Sequence, residues 1–360
     1  MSERINFARG VPAEAAFPRA QIQACVESLV SKPDVTAFQY GPALGPLRFR
    51  EWLATHHGVN LENVLVGDGS VALFDILCRI WLQKGQTVLV EEPCYDRVVC
   101  LLRYYGANVV SVRMEDDGPS IEALETAAKA APLFFYTVPD FQNPSGIVWS
   151  GEKRRHLVEL ARRGNFTIVE DSPYRLLRYK GVQQPSFLEL GPDVTVQLNS
   201  FSKIIAPGLR AAYLIAAPET ISVAAKMAEN TYVTPGNFAL SVAAEWLHRG
   251  YLPEQVDTLK KLYGPRQEAM VSALEEFMPS HHFARPEGGF FVGVTLSHAI
   301  DAGKLREEAR QAGIDLADGA GFFLDAQPTP FLRIPFCSMD ENTARRGVRT
   351  LSEVVERCST

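Results

Sequence analysis

The chain alternates short apolar runs with stretches of helical spacing over about 150 residues, and this alternation limits the folds that it can adopt. The apolar runs are rich in β-branched and aromatic residues and end at Gly, Pro, Asp or Asn, as buried strands do. Helical stretches lie between them, at 70–85, with a cap at Gly85, and at 150–164. The pattern predicts an α/β fold in which a mostly parallel seven-stranded sheet is sandwiched by helices. The predicted strands are 63–67, 87–93, 108–114, 133–139, 166–172, 194–200 and 211–217.

The pattern changes near residue 250. Long helical stretches at 254–277 and 302–312 now alternate with the apolar runs "GGFFVGVTL" and "FLRIPFC", which is typical of a smaller α+β unit. We therefore expect two domains. A large ligand-binding domain spans 36–250, and a small domain combines 251–360 with 1–35.

Composition and charge limit the classes of partner. The 360 residues carry a net charge of −6, which argues against nucleic acid or an anionic membrane as the main partner. No run approaches the ~18 apolar residues of a membrane-spanning helix. The charged N-terminus lacks the apolar run of a signal peptide. The six cysteines form no CxxC pair, so we expect no metal site and no disulfide framework, and a cytoplasmic protein.

Polar residues follow five of the predicted strands, where ligands collect in open α/β sheets. The turn Gly69-Ser70-Val71 follows the first strand and opens a helix, an arrangement that favours a phosphate. The residues after the other four strands are Tyr95, Asn143, Asp171 with Tyr174, and Lys203. Each of these features has an ordinary structural interpretation when taken alone: a turn, an aromatic packing contact or a surface charge.

Together these residues match the needs of pyridoxal phosphate chemistry. The aldehyde needs a lysine for a Schiff base, and the ring nitrogen needs a carboxylate to stay protonated. The ring oxygen needs hydrogen-bond donors, and the phosphate needs N–H groups and an arginine. The lysine must also move protons once it is released from the cofactor.

At this point the chain resembles the fold-type I pyridoxal-phosphate-dependent aminotransferases of class I/II, and most nearly the 2-aminoadipate and aromatic aminotransferase branch. The resemblance runs from end to end with the motifs in order. The segments that carry it are "QYGPALGPLRFREWLA", "DFQNPSGIVWSGEKRRHLVELA", "VEDSPYRLLRY", "NSFSKIIAPGLRAAYL", "PEGGFFVGV" and "FLRIPF".

The resemblance implies a role for each cofactor-site residue. Lys203 would form the internal aldimine and act as general acid and base, and Asp171 would pair with the ring nitrogen. Asn143 and Tyr174 would bond the ring oxygen, and Tyr95 would stack on the ring. The phosphate would be held by the turn Gly69-Ser70-Val71 and by three residues from later in the chain, Ser200, Ser202 and Arg210.

The same resemblance implies a substrate site and a homodimer with active sites at the subunit interface. Tyr40 would reach the phosphate of the neighbouring subunit. Arg333 would bind the substrate α-carboxylate bidentately. Gly10 lies on the segment "FARGVP" that would cover the substrate, and Asn143 would also contact it. The substrates would be an amino acid and a 2-oxo acid.

Two points stay open in the sequence. Arg9, beside Gly10, either recognises an acidic substrate side chain or faces solvent. The reaction is expected to be amino-group transfer through a Lys203 aldimine. The alternative is an enzyme of specialised metabolism that uses the same Cα carbanion for elimination, replacement, cyclisation with C–C bond formation, or oxidation, because geometry around Cα selects the outcome.

Overall fold

The computed structural model describes residues 4–325 and 330–359. Its large sheet contains all seven strands predicted from the sequence, but it has eight strands instead of the predicted seven. The strands are β1 Ile5–Phe7, β2 Val64–Asp68, β3 Thr87–Glu92, β4 Asn108–Glu115, β5 Gly118–Pro119, β6 Phe134–Thr137, β7 Thr167–Asp171, β8 Thr195–Ser200, β9 Ala211–Ile215, β10 His282–Phe283, β11 Phe291–Thr295, β12 Ile314–Leu316 and β13 Phe331–Pro335.

The large sheet is mostly parallel, as predicted. Strands β4, β3, β6, β7 and β8 pair in parallel, and β9 runs antiparallel to both of its neighbours, β8 and β2. The described strand of the large sheet that sequence analysis missed is the two-residue β5, which pairs antiparallel with β4 at the edge of the sheet. A Gly-Pro pair is too short to show any periodicity and has low strand propensity. The strand order is β2-β9-β8-β7-β6-β3-β4-β5. Outside this sheet, the short strands β1, β10 and β12 were also not predicted.

Helices cover the sheet and connect its strands. They are α1 Arg19–Ser31, α2 Leu47–His57, α3 Ser70–Trp81, α4 Asp96–Tyr104, α5 Ile121–Ala128, α6 Gly151–Gly164, α7 Phe187–Leu190, α8 Pro218–Tyr232, α9 Asn237–His248, α10 Leu252–Phe277, α11 Ala302–Gln311 and α12 Glu341–Ser359. Helix α6 begins after Ser150, whose hydroxyl accepts the Lys153 N–H. The prediction that α3 extends to Gly85 was wrong. The helix ends at Trp81, and Gly85, with φ +87°, belongs to the following turn.

A second, smaller core forms around the C-terminal strands and helices. Strands β10, β11 and β13 make an antiparallel sheet, and β1 pairs in parallel with β12. Phe7 is completely buried in this core, so the N-terminal strand is tied to the small unit. Helix α1 packs instead on α9, and its Cys25 lies in the larger core. The division of the chain at residues 36 and 250 stays a prediction.

Candidate active site

A cavity of about 370 Å³ opens at the carboxyl ends of the large sheet's strands. Every residue that sequence analysis assigned to the site lines it, with the single exception of Tyr40. The sheet order explains this convergence, because parallel strands end at the same edge and each contributes the residues that directly follow it. The small unit closes the cavity with residues of β11 and β13, and the N-terminal segment adds residues 8–11.

Asp171 is the last residue of β7 and is 4% exposed. The Tyr136 hydroxyl on β6 donates to its Oδ2 at 2.8 Å, while the buried Oδ1 has no hydrogen-bond partner among the described residues. Burial raises the pKa of the Asp171 carboxyl from 3.8 to about 7; the Tyr136 bond opposes this rise and the nearby Glu170 adds to it. A buried acceptor without a donor favours a bound group that carries a proton, such as a protonated ring nitrogen.

Lys203 ends a short 3-10 turn, 201–203, directly after β8. The turn is held by Ser200, whose Oγ accepts the Ser202 backbone N–H at 3.1 Å. Burial lowers the pKa of the Lys203 ammonium, and the cationic Arg210 and Arg333 lower it further. A lysine with a lowered pKa presents more of the neutral amine, which is the form that attacks a carbonyl and accepts a proton.

A phosphate-sized recess lies beside Lys203. Gly69 has φ +106°, and a Cβ at this position would lie 2.1 Å from a terminal nitrogen of Arg210, so only glycine lets the guanidinium approach. Ser70 and Val71 form the first turn of α3, whose N–H groups have no partner inside the helix. The helix dipole, these donors and the guanidinium together favour an anion.

The hydroxyls of Ser200 and Ser202 complete that recess. The two oxygens lie 2.9 Å apart, and both residues are less than 9% exposed. Hydroxyls at this distance donate and accept as a pair, so they adapt to an anionic oxygen without moving the backbone.

Aromatic and amide groups line the centre of the cavity. Tyr174 is 4% exposed and packs edge-on against Phe291, with ring centroids 6.1 Å apart. Tyr95 precedes the first residue of α4, and burial raises the pKa of its phenol. Asn143 accepts a hydrogen bond from Arg333 at 3.1 Å, and its Nδ2 donates to no described residue. The site thus presents rings and N–H or O–H donors to a planar ligand.

Arg333 projects from β13 into the cavity without a carboxylate partner among residues 4–325 and 330–359. Its guanidinium lies between the rings of Phe291 and Phe322, 4.8 and 4.9 Å from their centroids. Its buried Nε has no hydrogen-bond partner in the part of the chain that the structure describes. Burial lowers the pKa of Arg333, yet guanidinium keeps its charge under all ordinary conditions. A half-buried, unpaired guanidinium favours a ligand carboxylate.

Comparison with known proteins identifies the family. The family profile described as "Aminotransferase class I and II" matches residues 3–351. The chain belongs to this family. Aromatic-amino-acid aminotransferase 1 of Thermococcus litoralis is 31% identical over 99% of this chain and 88% of its own. The predicted resemblance to class I/II aminotransferases is therefore confirmed.

Solved structures agree with this assignment. A kynurenine aminotransferase of Pyrococcus horikoshii, solved in complex with PMP, superposes with a TM-score of 0.95 at 32% identity, covering 99% of this chain and 92% of that one. An alpha-aminoadipate aminotransferase of Thermus thermophilus, complexed with N-(5'-phosphopyridoxyl)-L-leucine, gives 0.94 at 28% identity with the same coverage. The fold is that of the fold-type I aminotransferases, and the branch predicted from the sequence is confirmed.

The aminotransferase uses pyridoxal 5'-phosphate, as its family does. The residues of the cavity fit this cofactor. The unpartnered Asp171 Oδ1 suits the ring nitrogen, and the recess at Gly69 and Arg210 suits the phosphate. The enzyme is thus a PLP-dependent transferase that moves an amino group between an amino acid and an oxo acid. In the described ranges, no helix is both long and apolar enough to cross a membrane.

Three polar residues of the described cavity lining were missed by sequence analysis. Tyr136 is an internal strand residue whose hydroxyl contacts Asp171 only because β6 and β7 are adjacent. Asp96 and Arg97 begin α4 and line the cavity mouth. Both could have been predicted to line the site because they directly follow Tyr95. The first turn of a helix after a strand faces the same edge of the sheet as the end of that strand.

The raised pKa of Asp171 predicts how the stability of the cofactor-free protein depends on pH. The folded carboxyl keeps its proton up to about pH 7, whereas the unfolded one loses it near pH 4. The free energy of unfolding should therefore fall as pH rises from 4 to 7 and then level off. The free energy of unfolding can be measured by denaturant titration at pH 4 and at pH 8. Its decrease between these two pH values should be on the order of 3 kcal/mol larger in the wild type than in Asp171→Asn. Equal falls in both proteins would mean that the carboxyl is ionised in the folded state.

Proposed function

We propose that the aminotransferase binds the α-amino acid through Arg333 and Asn143 and moves the Cα proton with Lys203. The observation that carries this proposal is the meeting of three groups in one cavity: the lysine of lowered pKa, the unpartnered Asp171 oxygen and the unpaired Arg333. When bound, PLP supplies an electron sink for the electron pair released at Cα.

The role that we propose for each side chain follows from its position in the cavity. Lys203 Nζ accepts the proton from the substrate Cα and returns it during transfer. Asp171 would keep the ring nitrogen protonated by ion pairing. Tyr174 and the Asn143 amide would hold the ring oxygen, and Tyr95 would contact the ring. The Gly69 turn, Ser70, Val71, Ser200, Ser202 and Arg210 would bind the phosphate.

Replacement of Arg333 with alanine is expected to raise the KM for the amino acid by about 10–100-fold, because a charge-assisted bidentate contact to the α-carboxylate is lost. The turnover number should fall less, since Lys203 and Asp171 keep their places. Steady-state kinetics with several amino acids test this. The α-carboxylate assignment fails if the loss differs strongly between substrates, because every substrate carries the same carboxylate. Arg345, half exposed on α12 and paired with Glu276, is the control position.

We further propose that the enzyme is a homodimer in which Tyr40 reaches the partner's phosphate site. Tyr40 is 81% exposed and lies outside the cavity of its own chain. It belongs to an apolar surface that includes Phe38 and Phe238, whose rings stack at 5.5 Å, and Val233, which is 58% exposed. Exposed apolar patches of this kind mark protein interfaces. The Asn237 amide binds the carbonyls of residues 36 and 39, which fixes the patch.

Conversion of Tyr40 to phenylalanine is expected to weaken cofactor binding by about tenfold through the loss of one hydroxyl contact to phosphate. Tyr104, which is 82% exposed, provides the matched control, and Tyr104→Phe should leave the affinity unchanged. Fluorescence titration of the cofactor-free dimer gives both values.

A mixed dimer tests whether Tyr40 acts across the interface. A dimer of one Lys203→Ala chain and one Tyr40→Ala chain should have one site with both defects and one intact site. Activity near half of the wild type is expected. Activity no greater than that of the Tyr40→Ala homodimer would place Tyr40 in the site of its own chain.

The state of the thiols supports a cytoplasmic location. All six cysteines are free, and five of them are buried. Unpaired thiols are typical of a reducing compartment, and we propose the cytoplasm on this ground. Cell fractionation with an antibody against the chain tests the location directly.

The decisive test of the function is the absorbance of the cofactor-loaded enzyme. Addition of an amino acid that acts as donor should bleach the yellow band, and a 2-oxo acid should restore it. A band that responds to no amino acid would contradict the proposed function.

A further inference from the structure

A buried carboxylate lies close to Asn143 without lining the cavity. Glu91 is the second-last residue of β3 and is 1% exposed. No cationic side chain of the described structure pairs with it. A buried carboxylate of this kind costs free energy unless hydrogen bonds satisfy it. The groups that donate to Glu91 are therefore held firmly in place.

Four donors satisfy this carboxylate, and all of them come from one segment of the chain. Its Oε1 accepts from the Thr137 hydroxyl and from the Trp149 indole N–H, each at 2.7 Å. Its Oε2 accepts from the Val138 N–H at 3.1 Å and from the Gln142 amide at 2.8 Å. Burial raises the pKa of the Glu91 carboxyl, and these four bonds oppose the rise. Two donors on each oxygen match the charged form.

Gln142 uses both ends of its side-chain amide. The nitrogen donates to Glu91 and also, at 2.7 Å, to the Pro93 carbonyl. The oxygen accepts the Ser145 N–H at 3.2 Å and the Ser145 hydroxyl. The side chain is completely buried. Such an amide has one favourable orientation, because any rotation leaves a buried donor or acceptor unpaired.

The main chain of Gln142 closes the turn that carries Asn143. The Gln142 N–H donates to the Ile147 carbonyl at 2.9 Å, and the Gln142 carbonyl accepts the Gly146 N–H at 2.7 Å. Asn143 is the next residue, and its side-chain oxygen accepts a hydrogen bond from Arg333. The place of the Asn143 amide thus depends on how Gln142 is held at the end of β3.

We propose that Gln142 is a positioning residue that sets where the Asn143 amide stands for the ring oxygen of the cofactor. Glu91 and the Pro93 carbonyl are its anchors. This role rests on the proposed function, because Asn143 must donate to that oxygen. Gln142 does not line the cavity, so it acts through Asn143. A displacement of about 1 Å at a group that contacts the reacting ligand can cost about 10²-fold in rate.

The colour of the bound cofactor gives a readout that does not need turnover. Gln142→Met keeps the length of the side chain and removes its hydrogen bonds. An N–H donated to the ring oxygen favours the cofactor form that has lost a proton. The pH midpoint of the yellow band should therefore rise by about one unit in both Gln142→Met and Asn143→Ala. An unchanged midpoint in Gln142→Met overturns the inference.

A double-mutant cycle shows whether Gln142 acts through Asn143. The rate of Cα deprotonation, measured by rapid mixing, should fall by about tenfold when Gln142→Met is made in the wild type. The same change should cost less than about twofold in Asn143→Ala, because the group to be positioned is already missing. A full tenfold loss in the Asn143→Ala background would mean that Gln142 acts on the fold in general, and would overturn the inference.

Thr137→Val is the matched control. Thr137 is as completely buried as Gln142 and donates to the other oxygen of the same carboxylate. Its replacement removes one hydrogen bond of the network but leaves the contact between Gln142 and Pro93 intact. Thr137→Val should lower stability and leave both the midpoint and the rate unchanged. Effects equal to those of Gln142→Met would mean that any loss of stability has this result, and would overturn the inference.

Gln142→Glu serves where Gln142→Met does not fold. It keeps the oxygen that accepts from Ser145, but it can donate to Glu91 or to Pro93 only while its carboxyl holds a proton. Two carboxylates at this distance repel each other once both are ionised, so the rate of Cα deprotonation should fall with rising pH more steeply than in the wild type. Parallel pH profiles overturn the inference.

Failure of the proposed function looks different from failure of this role. No amino acid would then bleach the yellow band of the wild type, while the pH midpoint of that band would still report on Gln142 and Asn143.

Discussion

Replacement of Lys203 with alanine is expected to lower kcat/KM by at least about 10⁴-fold, the largest effect of any single change in this enzyme. The variant loses both the amine that bonds the cofactor covalently and the base that moves the Cα proton. No other described lysine lines the cavity, so no neighbouring amine can replace it. The fold should survive, because the Lys203 side chain makes no hydrogen bond to a described residue and contacts the Phe290 ring only loosely, at 5.6 Å.

Three measurements separate this loss from misfolding. Mass spectrometry after borohydride reduction should find the cofactor attached to the wild type and absent from Lys203→Ala. A small primary amine added to the variant should restore part of the activity, since it supplies the missing base. Lys226→Ala, at an exposed position on α8, should behave as the wild type. Turnover at the normal rate in Lys203→Ala would place the catalytic amine elsewhere.

Replacement of Asp171 with alanine is expected to lower kcat by about 10³-fold and to weaken cofactor binding by about 10–100-fold. The protonated ring nitrogen would then be buried without a counter-ion and would lose its proton, so the ring would accept electrons from Cα poorly. The Tyr136 hydroxyl, which donates to Asp171 at 2.8 Å, would also lose its acceptor.

The neighbouring carboxylate provides the control for Asp171. Glu170 is also buried. It precedes Asp171 in β7, so its side chain points to the other face of the sheet, where it accepts a hydrogen bond from Gln197 at 2.9 Å. Glu170→Gln should change kcat by less than about fivefold, because the charge of Glu170 acts on the site only through the pKa of Asp171. Rapid-mixing measurement of Cα deprotonation, with a deuterated substrate, isolates the affected step. Equal losses in the two variants would show a structural defect instead of a missing counter-ion.

The position of the site could be predicted from the sequence because each of its main groups directly follows an apolar strand. Strand ends carry Asp171 and Lys203, and a parallel sheet brings such ends to one edge. This local rule needs no knowledge of how the strands are ordered. The seven strands of the large sheet were found for the same reason, since buried strands are short, apolar and rich in β-branched residues.

The contacts that the sequence did not reveal all depend on tertiary neighbours. The hydrogen bond from Tyr136 to Asp171 exists because β6 lies beside β7. The link from Arg333 to the Ala8 carbonyl joins residues 325 positions apart. The packing of α1 on α9 is also a tertiary contact, and the position of α1 in the chain does not predict it. Tyr40 lies outside the cavity, and its assignment needs a second chain that sequence patterns do not contain.

We expect this aminotransferase to transfer amino groups through the Lys203 cavity. The test is the absorbance spectrum of the cofactor-loaded enzyme, recorded without oxygen while single amino acids are added. An amino acid that acts as donor should bleach the yellow band, and the matching 2-oxo acid should restore it. The opposite result is a long-wavelength band that persists without bleaching and disappears only when oxygen or a second substrate is added. It would rule out amino-group transfer and favour elimination, replacement, cyclisation or oxidation.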